Sequence, residues 1–297
     1  MDINRANMTA LFQNIVKGFQ DGMTQKPPVD LSFLVSVFTS STAQNFYPWL
    51  EQIPGFRKWV GDRVFANVRS KGYTVPNRDF ELSLTMPSKD LDDDQYGMYV
   101  GLTQMTAAGW PVLLYELLIE VLTNRGPVCF DDLALFANTH AYGENTIDNL
   151  VTDALTKTSF EAALLAAAAY KFSNDKPCRT QFTHLLYGPK LEGVVFDLLL
   201  NQYAYDGTDK VQIQNRNFKR VQPVQIPDFI GTYDDYWVLL DCSGVFKPVL
   251  RQVRKTPVVT MTTDPEKIAE QGRVNILADG RAAAAPTLPH LAYGGIL

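Results

Sequence analysis

The stretch FELSLTMPSKDLDDDQYG, from Phe80 to Gly97, constrains the chain more than any other. Phe80, Leu82, Leu84 and Met86 alternate with Glu81, Ser83 and Thr85, which is the period of a strand with one buried face. Four aspartates (Asp90, Asp92, Asp93 and Asp94) follow, and beyond them Met98, Leu102, Met105 and Ala108 recur at helical spacing. A half-buried strand thus leads through an acidic knot into a long apolar helix. Read as a calcium loop, the knot fails. Asp90, Asp92 and Asp94 fit the first, third and fifth positions, but the sixth is Gln95 instead of Gly and the twelfth is Gly101 instead of Glu. The reading that remains is a helix start, where acidic side chains satisfy free N–H groups and sit at the positive end of the dipole.

The residues before this stretch extend the pattern. Met8, Leu11, Phe12, Ile15, Val16 and Phe19 predict an amphipathic helix over 4–22, which GMTQKPPVD then breaks. LSFLVSVFTSST (31–42) predicts a strand. In the aromatic block 46–64, Trp49, Ile53, Phe56 and Trp59 predict one face of short helical turns. Residues 63–70 and 80–87 then read as a long β-hairpin, with Gly72, Pro76 and Asn77 in its connector. Such a hairpin is not stable alone and needs cover. A helix from about 96 to 108 and another from 112 to 123 follow, with Pro111 in a first turn. Beyond 133 the pattern becomes mixed. A helix is expected over 158–173, a strand, turn and helix over 181–202, and extended runs at 218–229, 235–242 and 246–264. The tail 277–295 reads as a Gly turn and an Ala run.

Composition excludes several function classes. The net charge is -5, and a chain built to grip nucleic-acid phosphates is usually basic. Cys129, Cys178 and Cys242 are odd in number and dispersed, which fits neither a disulfide framework nor a Cys-type zinc site. No secretory signal is read at the N-terminus, and no uncharged apolar run is expected to reach membrane-spanning length, so a soluble chain made in the cytoplasm is expected. The sequence carries no phosphate-binding loop, dinucleotide fingerprint, nucleophile elbow or H-E-x-x-H motif. Cys178 and His184 are six residues apart and read as an inert Cys and a surface His. His140 reads as a holder of a backbone carbonyl. The basic groups Arg216, Lys219, Arg220 and Arg251, Arg254, Lys255 read as solvated strand faces, with intersubunit ion pairs as the alternative. No cofactor and no metal is expected.

Five blocks in order carry a family resemblance: YPWLEQIPGFRKWVGDRV, GYTVPNRDFELSLTMPSKDLDDDQYG, THAYG, LLYGPKLEGVV and DDYWVLLDCSGVFKPVLRQVRKTPVV. Together with the opening INRANMTALFQNIVKGFQDG and, more loosely, the ending LADGRAAAAPTLPHLAYGG, they resemble the Mu-like phage major head subunit family over nearly the whole chain. The resemblance implies an α+β, Hong Kong 97-type capsid fold. Residues 1–45 would form an N-terminal arm, and 46–134 the first part of a peripheral domain with an extended loop at 63–94 and a spine helix at 95–123. Residues 135–245 would form an axial domain, and 246–297 the return to the peripheral domain. It implies a virion protein that is not an enzyme. Hexamers and pentamers of it would close an icosahedral shell around double-stranded DNA, with a scaffold, a maturation protease, a portal and a decoration protein as partners and no membrane. The expected subunit-interface residues are Phe12, Phe19, Lys71, Tyr73, Arg78, Asp92, Asp93, Asp94, Arg251 and Arg254, and loss of residues 1–22 is expected to impair assembly more than folding. One alternative is an encapsulin-type cellular compartment. A more remote one is a hydrolase using the Asp90–Asp94 cluster.

Overall fold

The structure, a computed structural model, describes residues 5–50, 70–92, 96–205 and 212–295. Helix α1 (Arg5–Met23) forms where the apolar spacing predicts it and buries Met8, Leu11, Ile15 and Phe19. Strand β1 (Val35–Thr39) is shorter than the predicted 31–42, because Ser32–Leu34 first makes a tight helical turn. Asp30 starts that turn by accepting the Ser32 N–H at 2.9 Å. Strands β2 (Gln44–Leu50) and β3 (Ser70–Pro76) form an antiparallel ribbon, followed by β4 (Arg78–Pro87), α2 (Ser88–Asp92), α3 (Tyr96–Ala107) and α4 (Gly109–Leu122). Pro111 is the third residue of α4, where the missing N–H has no intrahelical acceptor to lose.

The strand pairing departs from the expected hairpin. β3 pairs with β2, and β4 pairs with a strand near the end of the chain, Arg78 opposite Ala282 and Pro87 opposite Arg273. Pro76 and Asn77 do not turn the chain back; they bend it from one sheet into another. Asn77 fixes the bend by donating its N–H to the Ala43 carbonyl at 3.0 Å and its side-chain amide to Ser40 Oγ at 2.9 Å. Alternation reports that a strand is half buried, but not which strand lies beside it. Trp49 lies in β2 instead of a helical turn. Ile53, Phe56 and Trp59, like residues 63–69 of the expected loop, lie outside the described residues.

The rest of the chain adds the hairpin β5 (His140–Tyr142) and β6 (Asn145–Ile147), then β7 (Leu150–Val151) and α5 (Lys157–Ala169), whose start Thr156 caps by accepting the Ser159 N–H at 3.1 Å. β8 (His184–Tyr187) leads through α6 (Glu192–Val195) to the small hairpin β9 (Tyr203–Tyr205) and β10 (Gln212–Gln214). Then come β11 (Gln222–Gln225), β12 (Trp237–Leu240), the long β13 (Val249–Met261), α7 (Pro265–Gln271), the long β14 (Arg273–Pro286) and β15 (Ala292–Gly295). The Gly turn expected in the tail is absent: Gly280 lies inside β14, and Ala282 to Ala285 are all buried. A Cβ at Gly280 would meet the Trp110 ring at 2.6 Å, so the glycine is where the helix seats its indole.

Among the described residues the strands form two main sheets, one ordered β1-β13-β14-β4 and the other β11-β8-β12-β15-β7. α4 lies between them. Its Leu117, Leu118, Val121 and Leu122 share one apolar cluster with Val249, Ala282 and Ala284 of the first sheet and Leu186, Val238 and Leu240 of the second. The helical span Gly97–Leu122 is 26 residues long, and an 18-residue window of it has a mean hydropathy of 1.4, but Glu116 and Glu120 interrupt it, so it is not an uncharged apolar run. Within the fold, burial in this cluster accounts for the apolar character of α4. α1 lies against α3 and the first sheet. A Cβ at Gly22 would fall 2.2 Å from the Gln104 carbonyl oxygen, so the two helices approach backbone to backbone there.

Two stability predictions follow from this packing. Leu11 is 2% exposed and lies in the cluster that joins α1 to Met86, Ala107, Val259 and Ile276. Leu11→Ala should lower subunit stability by about 2–4 kcal/mol in denaturant unfolding, so the first helix contributes to folding more than a free arm would. The second concerns the tie between α5 and the 215–217 turn. The Arg216 fork, seconded by the Asn217 amide at 2.9 Å, holds the Glu161 carboxyl down to about 2 from an ordinary 4.5. A depressed carboxylate stabilises the fold above its unfolded pKa, and that contribution disappears as pH falls from about 4.5 toward 2. Glu161→Gln should cost about 0.5–1 kcal/mol at neutral pH for so exposed a pair. In acid-unfolding curves its difference from the unmodified chain should close near pH 2.

Candidate assembly surface

The ends of β4 and of α3–α4 carry much of the polar side-chain chemistry linking the helices to the first sheet. Arg78 reaches Glu120 of α4 at 2.6 Å while its guanidinium lies 5.5 Å from the Phe80 ring centre. Asp79 pairs with Arg281 at 2.5 Å, and Asp279 with Lys255, so both flank the β14 register. Asp90 accepts a hydrogen bond from Tyr99 Oη, which raises the tyrosine pKa and fastens α2 to α3. The acidic run is therefore not a simple cap before the helix: Asp90 acts through a side chain on α3, from a short helix of its own. The Asp92 side chain, and Asp93 and Asp94 entirely, lie outside the described residues.

The other expected interface residues are scattered. Phe12 is half-buried and Phe19 buried in the cluster beneath α1. Lys71 lies on β3 opposite Trp49, and its side chain is not described. Tyr73 is half-buried beside Tyr47, ring centres 6.3 Å apart, and donates its hydroxyl proton to the Pro286 carbonyl. Arg251 and Arg254 lie on β13, both partly buried. The structure brings Arg78 near α4 and leaves Arg251 and Arg254 on a different strand of the same sheet. Exposed apolar side chains are the feature that the sequence reading left aside: Met98 at 78% and Met105 at 74% on α3, Leu165 at 74% on α5, and Val245 at 92% in the turn after β12. Met98 and Met105 stand at the helical spacing read from the sequence. They lie on the side of α3 away from α1.

Groups that carry catalysis elsewhere are occupied with packing. Cys129, Asp131 and His140 bring ligand atoms within 4.8 Å of one another. Both His140 nitrogens are engaged, Nδ1 with Asp131 at 2.7 Å and Nε2 with the Leu135 carbonyl at 3.1 Å, the carbonyl contact expected of it. Burial pushes the Cys129 thiol well up, so it stays protonated. His290 is buried against Tyr142 and Phe172, and burial brings its pKa down to about 4. Cys178 and His184 do not form a pair: the thiol packs in the cluster under α5 and is pushed up to about 12, whereas the imidazole stacks on Phe33 at 4.1 Å. An apolar groove of about 360 Å³, lined in part by Phe80, Leu82, Trp110, Leu113 and Pro257, runs between α4 and the first sheet.

Residues 8–153 match the family model described as "Mu-like prophage major head subunit gpT". The Mu-like prophage FluMu major head subunit of Haemophilus influenzae is 28% identical over 256 residues, 86% of this chain and 61% of that protein. The major capsid protein of Escherichia phage Mu is 29% identical over 141 residues, 47% of this chain and 46% of that protein. The chain thus spans about three fifths of the first relative and under half of the second. Among solved structures, the procapsid of bacteriophage JBD30 superposes with a TM-score of 0.59 at 22% identity, covering 99% of this chain and 76% of that one. Over residues 8–153, just under half of its length, the chain is similar to the Mu-like major head subunit family, and it has the Hong Kong 97-type capsid fold.

Proposed function

We propose that this chain is a shell-building subunit, the major capsid protein of a Mu-like phage or prophage, and that copies of it form hexamers and pentamers of an icosahedral shell around double-stranded DNA. The observation that carries the reading is the family match over residues 8–153 together with a capsid-like fold over nearly the whole chain. The physics of the surface supports it. Among the described residues β1 and β4 are edge strands of the first sheet, and exposed edges invite pairing with another chain. Met98, Met105, Leu165 and Val245 present apolar area that a shell contact would cover. The occupied surroundings of His140, His184 and His290 favour a structural over a catalytic role.

In this reading the first sheet with α1, α3 and α4 is the peripheral domain, and the second sheet with α5 is the axial domain. The ribbon β2–β3 is the base of the loop that reaches a neighbour, while β15 returns the chain to the second sheet instead of ending in the first. Heterologous contacts between identical copies close rings and shells, and many modest contacts sum to a stable particle. A scaffold, a maturation protease, a portal and a decoration protein are the partners this role calls for.

Electron microscopy and light scattering of the purified chain test the reading. Rings, tubes or closed shells are expected; a compact monomer at every concentration and salt would count against it. Charge reversal of Asp92, Asp93 and Asp94 together should leave the subunit soluble and folded by circular dichroism and abolish closed particles. Normal particles from that variant would remove the acidic run from the assembly surface.

A further inference from the structure

Arg251 is the residue that this fold leaves unexplained. Its Nε is buried and has no hydrogen-bond partner, the only side-chain nitrogen or oxygen in that condition among the described residues. Other cations of the same sheet are matched: Arg78 faces Glu120, Lys255 faces Asp279, and Arg281 faces Asp79. Arg251 is half-buried with no carboxylate paired to it among the described residues, and burial lowers its pKa from the ordinary arginine value. A guanidinium offers five donors in a planar fork, and a buried donor left empty is costly. Such a group calls for an acceptor.

Its position indicates where the acceptor comes from. In the β13 register Arg251 stands beside Ala284 of β14 on one side and Val37 of β1 on the other. Residues at paired register share a sheet face. Ala284 is 3% exposed and Val37 is 62% exposed, so the face opens toward β1. β1 is the edge of its sheet, with no further strand beside it among the described residues. Three things therefore coincide at one place: a free row of backbone N–H and C=O groups, an uncovered Val37, and a cation without an anion. An extended peptide answers all three, since it continues the ladder, covers the valine and can carry an acidic side chain. A planar carboxylate matches the guanidinium fork in two parallel hydrogen bonds. The chain has such groups in excess, 32 acidic residues against 27 basic ones.

We propose that Arg251 receives a carboxylate from an extended segment of a second copy of this chain, laid along the free edge of β1. The inference rests on the shell reading above and gives it one specific contact. The test compares particles of the unmodified chain with those of Arg251→Met, which keeps an unbranched apolar stem but removes the guanidinium and its charge. The expected result is a particle yield at least tenfold lower for the variant, with the thermal midpoint of its unassembled subunit equal to or above that of the unmodified chain. Arg251→Met particles at full yield would overturn the inference and leave the shell reading intact, and so would a yield loss matched by a drop in the subunit's midpoint. An unmodified chain that forms no particles would overturn the shell reading and this contact with it. A second measurement uses Arg251→Lys particles assembled from isotopically light and heavy subunits and treated with a carbodiimide. Mass spectrometry should find position 251 joined to an Asp or Glu of another copy. Links confined to one chain, or none at position 251, would refute the contact.

Discussion

The burial of α4 between two sheets is the constraint on which the rest of the structure depends. Its Leu117, Leu118, Val121 and Leu122 share one cluster with strands from both sheets, each buried side chain contributing roughly 1.5–3 kcal/mol of transfer free energy. Tyr236 adds a polar tie by donating its hydroxyl proton to the Leu122 carbonyl at the helix end. Because α4 is the common wall, the position of one sheet fixes the position of the other. Gly280 sets how closely the helix approaches, since its missing Cβ admits Trp110 between the helix and β14. A subunit that must present edges and loops to several neighbours at once benefits from a stiff interior that holds them at fixed angles.

The local pattern of elements was legible because it depends on neighbours in sequence. The stripe from Met8 to Phe19 gave α1, the alternation of Phe80 to Met86 gave β4, and Pro111 marked the first turn of α4. Pairing was not legible. β4 finds its partner at Arg273–Ala282, and nothing in either strand names the other. Gly280 was misread as a turn for the same reason, because its role is defined by Trp110, a residue far away in sequence. The acidic run was half legible. Its composition placed it at the start of the helical span, but the partner of Asp90 is a tyrosine hydroxyl nine residues on, which no capping rule singles out.

The candidate surface divides in the same way. Charge alone suggested Arg78 and Arg251 alike, and only the fold separates them. Arg78 is neutralised within its own chain by Glu120, so it is a brace of the subunit, whereas Arg251 has no such counter-charge. Phe19 was chosen as an arm residue and proves to be core, because an amphipathic helix covers whichever apolar face lies nearest, and here that face belongs to its own sheet.

A chain that builds shells must satisfy two opposed demands. It must fold alone, which requires its buried polar groups to be paired, and it must still gain from meeting copies of itself, which requires something left unpaired. The three matched cations of the first sheet meet the first demand, and in the proposed contact the β1 edge with Arg251 and Val37 would meet the second. An orphan charge is a better device for this than exposed apolar area. It discriminates sharply against any partner that lacks an anion at the right register. A backbone edge alone would accept almost any strand. The cation adds a requirement for one register, since a slip of one residue would place a side chain of the opposite face against the guanidinium.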